Sequence, residues 1–596
     1  MSKKEITVTV MSPIQPNLLI LDVFNRVFLF VSLFAIPCAF AASDRPNVIL
    51  ILTDDQGFGD VGFHGNAALK TPHLDRLASE SAEFTHFYVQ PLCTPTRAAL
   101  LTGRYPERTG AVEVNFGRSI IRESEITVAE ILKAAGYRTG IFGKWHLGNN
   151  FPVRPSDMGF EECLHHMGGG IGQPGNPPGN RFFDPILNHN NVPKKYTGYC
   201  NDIFFEKAMD FAEDNKDQPF FIYLATNLPH LPLQIEEKYV APYRKYGVNE
   251  INAKTYGMIA NIDENVGYLM DRLEALGLEE NTIVIFLSDN GPRTSRQKND
   301  VYPDRYNAGL RGTKSSIYEG GIRVPFLIRW PERIEAGIKL PHIAAHIDLL
   351  PTLLDACGAE NIDPDHVIDG RSLLPLLVGE GQSDWQDRML FFQHNANHEP
   401  LMYSHFAART QRYKLVQPFP NPRDTLLDIG EFNIPEQLGK LELYDIEADP
   451  SEIENLARSR PEVVSSMLAS YEDWYRDVTA ELDYWNPQPI YIGAPEENPA
   501  QLNQIDSQKM TRLPFWSARV VRSGSYRFTL EFAPADHDRK AYVRFGTAQA
   551  SQTVPAGEST CVFESVALSK GDGRLEGWLK SGLKSQMVEF LTAELR

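Results

Sequence analysis

The chain has 596 residues and carries 77 Asp and Glu against 58 Lys and Arg, for a formal charge of −19. That balance argues against a nucleic-acid-binding protein, whose phosphate contacts need a basic face. With 42% hydrophobic and 11% aromatic residues a large core is available, which excludes a mostly disordered or fibrous chain, and the length allows up to about four domains.

Residues 27–42 read VFLFVSLFAIPCAFAA, an apolar run too short for a comfortable transmembrane helix. It follows Lys3, Lys4 and Arg26 and ends in Ala39-Phe40-Ala41, the form of a signal peptide cut after Ala41. Residues 1–41 are therefore expected to export the chain to the periplasm or the extracellular space. No stable membrane span would remain after cleavage; a retained leader would act as an anchor. Five of the six cysteines survive removal: Cys93, Cys163, Cys200, Cys357 and Cys561. An odd number in an oxidising compartment leaves at least one unpaired or modified, and the spacing matches no zinc pattern. Cys93 is the candidate.

Residues 47–52, 138–142, 219–225 and 282–287 are short continuous apolar runs that predict buried strands. Between them, residues 71–81, 127–135, 202–213 and 253–276 carry helical spacing. This order predicts an α/β sheet with helices on both faces, which we assign to residues 42–385. Residues 168–199 are rich in Gly, Asn and Pro and predict a long loop; around it, His165, His166 and Asn188 either line a substrate pocket or, as loop histidines more often do, face solvent. Residues 386–485 hold the runs MLFFQ, YKLVQ and LELYDI and a helical stretch at 462–478, a smaller α+β subdomain. Residues 486–513, with four Pro between 486 and 503, predict a linker. Alternation at 517–530, 541–546 and 559–568 predicts a β-rich accessory domain over 514–596, in which Trp516, Tyr526 and Trp578 either stack on sugar or fill the core.

Chemistry-bearing residues gather just past the predicted strands. Asp54-Asp55 follows NVILILT, Asp289-Asn290 follows TIVIFLS, and Lys144-x-His146 follows TGIFG. In sheets of this kind ligands sit beyond the carboxyl ends of the strands. Paired carboxylates with an amide form an oxygen-rich set for a hard divalent cation such as Ca²⁺ or Mg²⁺, although either pair alone also reads as a turn.

The segment from Pro91 to Gly103, PLCTPTRAALLTG, contains Cys93-x-Pro95-x-Arg97 followed by an apolar pair and Gly103. Here the sequence resembles the type I, formylglycine-dependent sulfatases of the arylsulfatase family in the alkaline-phosphatase superfamily. NVILILTDDQGFGD, GYRTGIFGKWHLG, Pro229-His230-Leu231-Pro232, LSDNG and RGTKSSIYEGGIRVP support the likeness over residues 46 to 330, and LYDIEADPSEIENLA extends it to 457. The resemblance implies an alkaline-phosphatase-like large sheet flanked by helices, a smaller C-terminal α+β subdomain, and here an appended β-rich domain. It implies a sulfuric ester hydrolase acting through a formylglycine-hydrate nucleophile and a sulfo-enzyme intermediate.

By the same likeness Asp54, Asp55, Asp289 and Asn290, with modified Cys93, would hold one Ca²⁺ per chain. Arg97 would fix the nucleophile, Lys144 would bind sulfate, His146 would take the second proton of the diol, and His230 and Lys314 would serve the leaving group. Trp145 reads as packing. A formylglycine-generating or equivalent maturation enzyme is an implied partner. The expected substrate is sulfated carbohydrate, chiefly polysaccharide-derived oligosaccharides, with aryl sulfates also accepted. Two readings compete: a phosphonate monoester or phosphodiester hydrolase of the same superfamily, and a non-catalytic glycan-binding protein, which has no need of an oxidisable Cys93.

Overall fold

Strand β1 (Asn47–Thr53) is buried along its whole length, with Val48, Leu50 and Leu52 in one apolar cluster and Ile49 and Ile51 in another. A strand covered on both faces has no solvent side for polar residues, so its sequence is continuously apolar. The computed structural model in which it lies describes residues 45–245, 247–293, 305–380, 385–395, 399–418, 440–508 and 513–596. The expected leader at 1–41 lies outside them.

The large sheet adds β2 (Ala82–Tyr88), β3 (Arg138–Lys144), β4 (Glu162–His166), β5 (Ile186–His189), β6 (Val192–Lys195), β7 (Phe220–Ala225), β8 (Thr282–Ser288), β9 (Phe326–Arg329) and β10 (Lys339–Ala345). Their order is β10-β2-β9-β8-β1-β7-β3-β4-β5-β6. The central five, β8, β1, β7, β3 and β4, are mutually parallel, so their carboxyl ends open on one edge. Helices Cys93–Thr102, Val128–Ala134 and Leu349–Cys357 contribute to one cluster, and Pro72–Ser79, Cys200–Asp214 and Glu250–Leu276 to the other. The α/β sheet with helices on both faces is thus observed. The helix Val128–Ala134 starts from a capping box in which Thr127 and Glu130 exchange hydrogen bonds.

Two local expectations change. The long loop ends in a hairpin, β5–β6, which extends the sheet edge. His165 and His166 are buried on β4 rather than solvent-facing, because β4 lies inside the sheet between β3 and β5.

The smaller region is an antiparallel sheet of β11 (Leu390–Gln393), β12 (Phe406–Arg409), β13 (Tyr413–Gln417) and β14 (Glu442–Asp445), covered by the helix Pro461–Val478. Buried Lys414 ties it to the short helix Glu319–Ile322 before β9, pairing with Glu319 at 3.1 Å, and also pairs with Glu452 of its own region at 3.0 Å.

The C-terminal region holds two sheets. One contains β15 (Ile490–Ile492), β17 (Trp516–Val520), β22 (Gly571–Ser581), β19 (Arg539–Phe545) and β20 (Ala548–Val554), with β23 (Lys584–Met587) on β22. The other runs β16 (Ala500–Asn503), β24 (Phe590–Leu595), β18 (Gly524–Glu531) and β21 (Thr560–Leu568). Residues 486–508 are therefore not a free linker, since β15 and β16 are built into the two sheets. Both are edge strands, and Pro489 and Pro499 stand immediately before them, where no ladder donor is needed. Trp516 and Tyr526 are fully buried, with Trp516 Nε1 donating to Asn503 O at 2.6 Å and Tyr526 Oη to Arg522 O at 2.7 Å. Trp578 stacks on Tyr542 at 4.8 Å. Trp516 and Tyr526 are therefore core, whereas Trp578 and Tyr542 form a cross-strand pair on the face of their sheet opposite the inward-facing Leu575 and Leu579.

Candidate active site

The carboxyl edge of the central strands carries the chemistry. Asp54 and Asp55 follow β1, Asp289 and Asn290 follow β8, Lys144 ends β3 with His146 two residues on, and His230 lies five residues past β7. Cys93 opens the helix Cys93–Thr102, with Arg97 one turn further in, and Lys314 arrives from the segment before β9. All ten residues expected from the sequence come together here. Asp55, His146 and Ser315 have positive φ of 69°, 61° and 71°, a left-handed conformation that costs non-glycine residues some energy.

Three cations meet three carboxylates. Lys144 Nζ donates to Asp54 Oδ2 at 2.8 Å, Lys314 Nζ to Asp55 Oδ1 at 2.5 Å, and Arg97 Nη2 to Asp289 Oδ2 at 2.7 Å. Arg97 Nη1 also donates to Lys144 O at 3.1 Å, and Asn290 Nδ2 to Asp55 Oδ1 at 2.8 Å. Arg97 is thus a strut beneath the site, joining two strand ends. Burial would raise the Asp55 carboxyl, but Lys314, His230 and the Asn290 amide hold it well below the usual carboxylate range. Burial and the neighbouring Asp54 push Asp289 up, against Arg97.

The donor set fits a hard divalent cation. Asp54 Oδ1, Asp55 Oδ2 and Asn290 Oδ1 are buried with no hydrogen-bond partner, and ligand atoms of Asp54, Cys93 and Asp289 lie within 4.8 Å of one another. Buried oxygens left unpaired are costly, and an oxygen-rich cluster of this kind suits Ca²⁺. With the fixed charges balanced, a divalent ion would leave the site positive, the sign an anionic ester needs.

Cys93 Sγ lies 3.4 Å from His146 Nδ1, and Thr94 Oγ1 donates to His146 O at 3.1 Å, joining helix to loop. Burial raises the Cys93 thiol, partly offset by Lys144 and Lys314. Burial, with Lys144 and Arg97, drives His146 well below its ordinary value. Burial also pushes His230 down to about 3, although Asp55 opposes it. Both imidazoles are therefore neutral near pH 7. His230 Nδ1 lies 2.8 Å from Leu231 O; donation there leaves Nε2 as the bare nitrogen. All five described cysteines are buried and unpaired. Trp145 is packing, as expected, and donates Nε1 to Val153 O.

Sequence reasoning passed over several neighbours. Arg305 chelates Asp60 and donates to Asp55 O at 3.2 Å, buttressing the turn after β1. Asp60 in TDDQGFGD was the available signal. Tyr223 Oη lies 3.5 Å from Arg97 Nη1. Gly169 passes so close that a Cβ there would stand 2.9 Å from His146 Nε2; that nitrogen has no hydrogen-bond partner. Above Cys93 a 390 Å³ cleft is lined by Val114, Asn115, Gln173, Arg293, Lys314 and Ile505, among others.

Comparison with known proteins agrees with this arrangement. A family model described as "Sulfatase" matches residues 46–359, and one described as "N-sulphoglucosamine sulphohydrolase, C-terminal" matches 313–472. The chain is 34% identical over 474 residues to human arylsulfatase A, covering 73% of this chain and 89% of that protein. It is 30% identical over 494 residues to an N-acetylgalactosamine-6-O-sulfatase of Bacteroides thetaiotaomicron, covering 71% and 92%. Among solved structures, Ps i-CgsB in complex with k-i-k-neocarrahexaose is similar at 28% identity and a TM-score of 0.62, covering 74% of this chain and 94% of that one.

Proposed function

Because the chain belongs to the sulfatase family and is a sulfuric ester hydrolase, we propose that it desulfates carbohydrate, with Cys93 as the precursor of a formylglycine nucleophile. The carrying observation is that Cys93 and His146 stand 3.4 Å apart beside four buried oxygen-bearing ligands, three of whose oxygens lack partners. Two relatives point to carbohydrate: one is named for N-acetylgalactosamine 6-O-sulfate, and another was solved with neocarrahexaose.

Asp54, Asp55, Asp289 and Asn290, with position 93, would hold Ca²⁺, which would supply Lewis-acid polarisation of a sulfate oxygen. Oxidation of Cys93 by a maturation enzyme would supply a hydrated aldehyde, a better nucleophile than a thiol whose burial keeps it protonated. The remaining chemistry falls to the chain's side chains. Neutral His146 lies at position 93 with Nδ1 free to take a proton. Arg97 and Lys144 hold Asp289 and Asp54 in place, so the site is assembled before substrate arrives. Lys314, whose Asp55 pairing overcomes its burial and keeps it charged, carries a proton towards the leaving oxygen. His230, with Nε2 bare, accepts a hydrogen bond from the leaving alcohol once its oxygen has been protonated. The leader at 1–41 supports export; among the described residues no helix is long and apolar enough to cross a membrane.

The test is sulfate release, followed by ion chromatography, from a panel of positionally defined sulfated sugars and aryl sulfates, with mass spectrometry of the Cys93 peptide. Release from aryl esters alone would remove the carbohydrate reading, and an active enzyme with an unmodified thiol would remove formylglycine.

A further inference from the structure

Ile505 lines the cleft together with Cys93, His146 and Lys314, yet it stands in the turn that follows β16 of the C-terminal β-rich region. Both matched family segments end earlier, at residues 359 and 472. Ile505 is only partly buried. A Cβ on Gly168 would lie 3.1 Å from Ile505 Cδ1, and the next residue, Gly169, packs on the His146 ring. The Ile505 side chain is thus about one residue's breadth from the histidine that faces Cys93.

Buried and part-buried polar bonds hold this turn against loops that line the cleft. Asn503 Oδ1 accepts from the N–H of Ile505 at 2.9 Å, and Asn503 Nδ2 donates to Asp506 Oδ2 at 2.9 Å. Asn149, three residues past His146, donates to the same Asp506 oxygen at 2.8 Å and accepts from Gly168 N at 2.9 Å. On the other flank Gly117 N donates to Ile505 O at 3.1 Å. Gly117 has φ of 65°, and a Cβ there would lie 2.9 Å from the backbone oxygen of Asp506, so glycine suits this approach. Three loops that line the cleft, 114–118, 146–150 and 168–176, are therefore tied to one turn of the β-rich region. Buried networks of this kind fix a single geometry, whereas a tethered glycan-binding module needs none of it.

We propose that the 503–508 turn is a wall of the active site, and that Ile505 packs against the apolar C–H face of the pyranose bearing the sulfate ester. Ile505 and Val114 give the cleft apolar lining, while Asn115, Gln173 and Arg293 supply polar partners for hydroxyl or further anionic groups. An amphipathic slot matches a sugar ring, one face of which is C–H and whose rim is hydroxyl. The β-rich region then selects the leaving alcohol and is not a separate sugar-binding site. This rests on the reading of the cleft as a sulfate-ester site.

The experiment uses the full, matured chain and the variants Ile505→Ala and Ile505→Leu. kcat and KM are measured on N-acetylgalactosamine 6-sulfate, sulfated carrageenan oligosaccharides and 4-nitrophenyl sulfate. In parallel, calorimetry in a Cys93→Ala background reads binding of the same sugars without turnover. The Ala variant should lower the sugar-to-aryl ratio of kcat/KM by about tenfold, chiefly through KM, and weaken sugar binding in parallel, while Leu restores both. If Ala does not fold, Ile505→Val should shift the ratio the same way by less. An unchanged ratio with unchanged sugar binding, equal losses on both ester classes, or no sugar binding in any form would overturn the proposal. A wild-type chain that binds sulfated sugars through Ile505 but releases no sulfate would sink the catalytic reading and leave the Ile505 contact standing.

Discussion

Cys93 Sγ and His146 Nδ1 lie 3.4 Å apart although 53 residues separate them in the chain. The first opens a helix and the second sits in a strained turn after β3 with φ of 61°. Strain of this kind is held by surrounding packing, here by the Thr94 hydroxyl on His146 O and by Gly169 against the ring. His146→Ala should lower kcat by about 10²- to 10⁴-fold, the range for a lost acid–base group, with KM little changed. Steady-state kinetics on the best ester decides it, and a rise in KM with kcat unchanged would show that His146 only binds.

Asn290 offers a partner-free Oδ1 while its Nδ2 holds Asp55. Chelation should abolish sulfate release, and Ca²⁺ should restore it. Asn290→Ala should raise the Ca²⁺ needed for half-restoration by about tenfold, equivalent to about 1.4 kcal/mol. The thermal midpoint should also rise with added Ca²⁺. Activity that survives exhaustive chelation would rule out the metal assignment.

Lys314, which we propose serves the leaving oxygen, holds its Nζ 2.5 Å from Asp55 Oδ1. A proton donor matters more for poorer leaving groups. Lys314→Met should therefore cost little on 4-nitrophenyl sulfate and much more on esters of sugar alcohols, steepening the dependence of log(kcat/KM) on leaving-group pKa. A parallel displacement, with no change of slope, would mark Lys314 as a binding residue alone.

Glu497, at the seam between the β-rich region and the loop after His146, accepts from Phe151 N at 2.8 Å and Asn150 Nδ2 at 3.1 Å. Burial pushes its carboxyl up to about 7 from an ordinary 4.5, although those donors oppose the rise. The folded state then binds the proton more tightly than the unfolded one. Its contribution to stability is fully present below about 4.5 and is lost as pH rises through about 7. Glu497→Gln should remove that dependence, which amounts to about 3 kcal/mol at most. Urea unfolding of both proteins at pH 5 and pH 8 measures it, and an unchanged pH difference would show that Glu497 is ionised throughout.

The strands that position the site were legible because burial on both faces leaves a continuous apolar run, as in NVILIL and TIVIFL. The residues just past them were legible because their chemistry is written locally: Asp54-Asp55, Asp289-Asn290, Lys144-x-His146. β9 and β10 were not, since one is four residues long and the other mixes Lys, Pro and His with its apolar positions. Proline read as a linker signal between 486 and 503, because composition cannot distinguish a free segment from edge strands whose prolines precede the ladder.

The sequence alone determined the family and, with it, the class of reaction, hydrolysis of a sulfuric ester. The residues proposed as nucleophile precursor, metal ligands and bases are identities of side chains, and their order along the chain carried the family resemblance. Only the tertiary structure decided which groups share a charge balance, that Arg97 braces Asp289, that Arg305 buttresses the Asp55 turn, and that Ile505 reaches the cleft from about 360 residues beyond His146. Such relations depend on contacts between segments distant in the chain, and a local pattern holds no record of them.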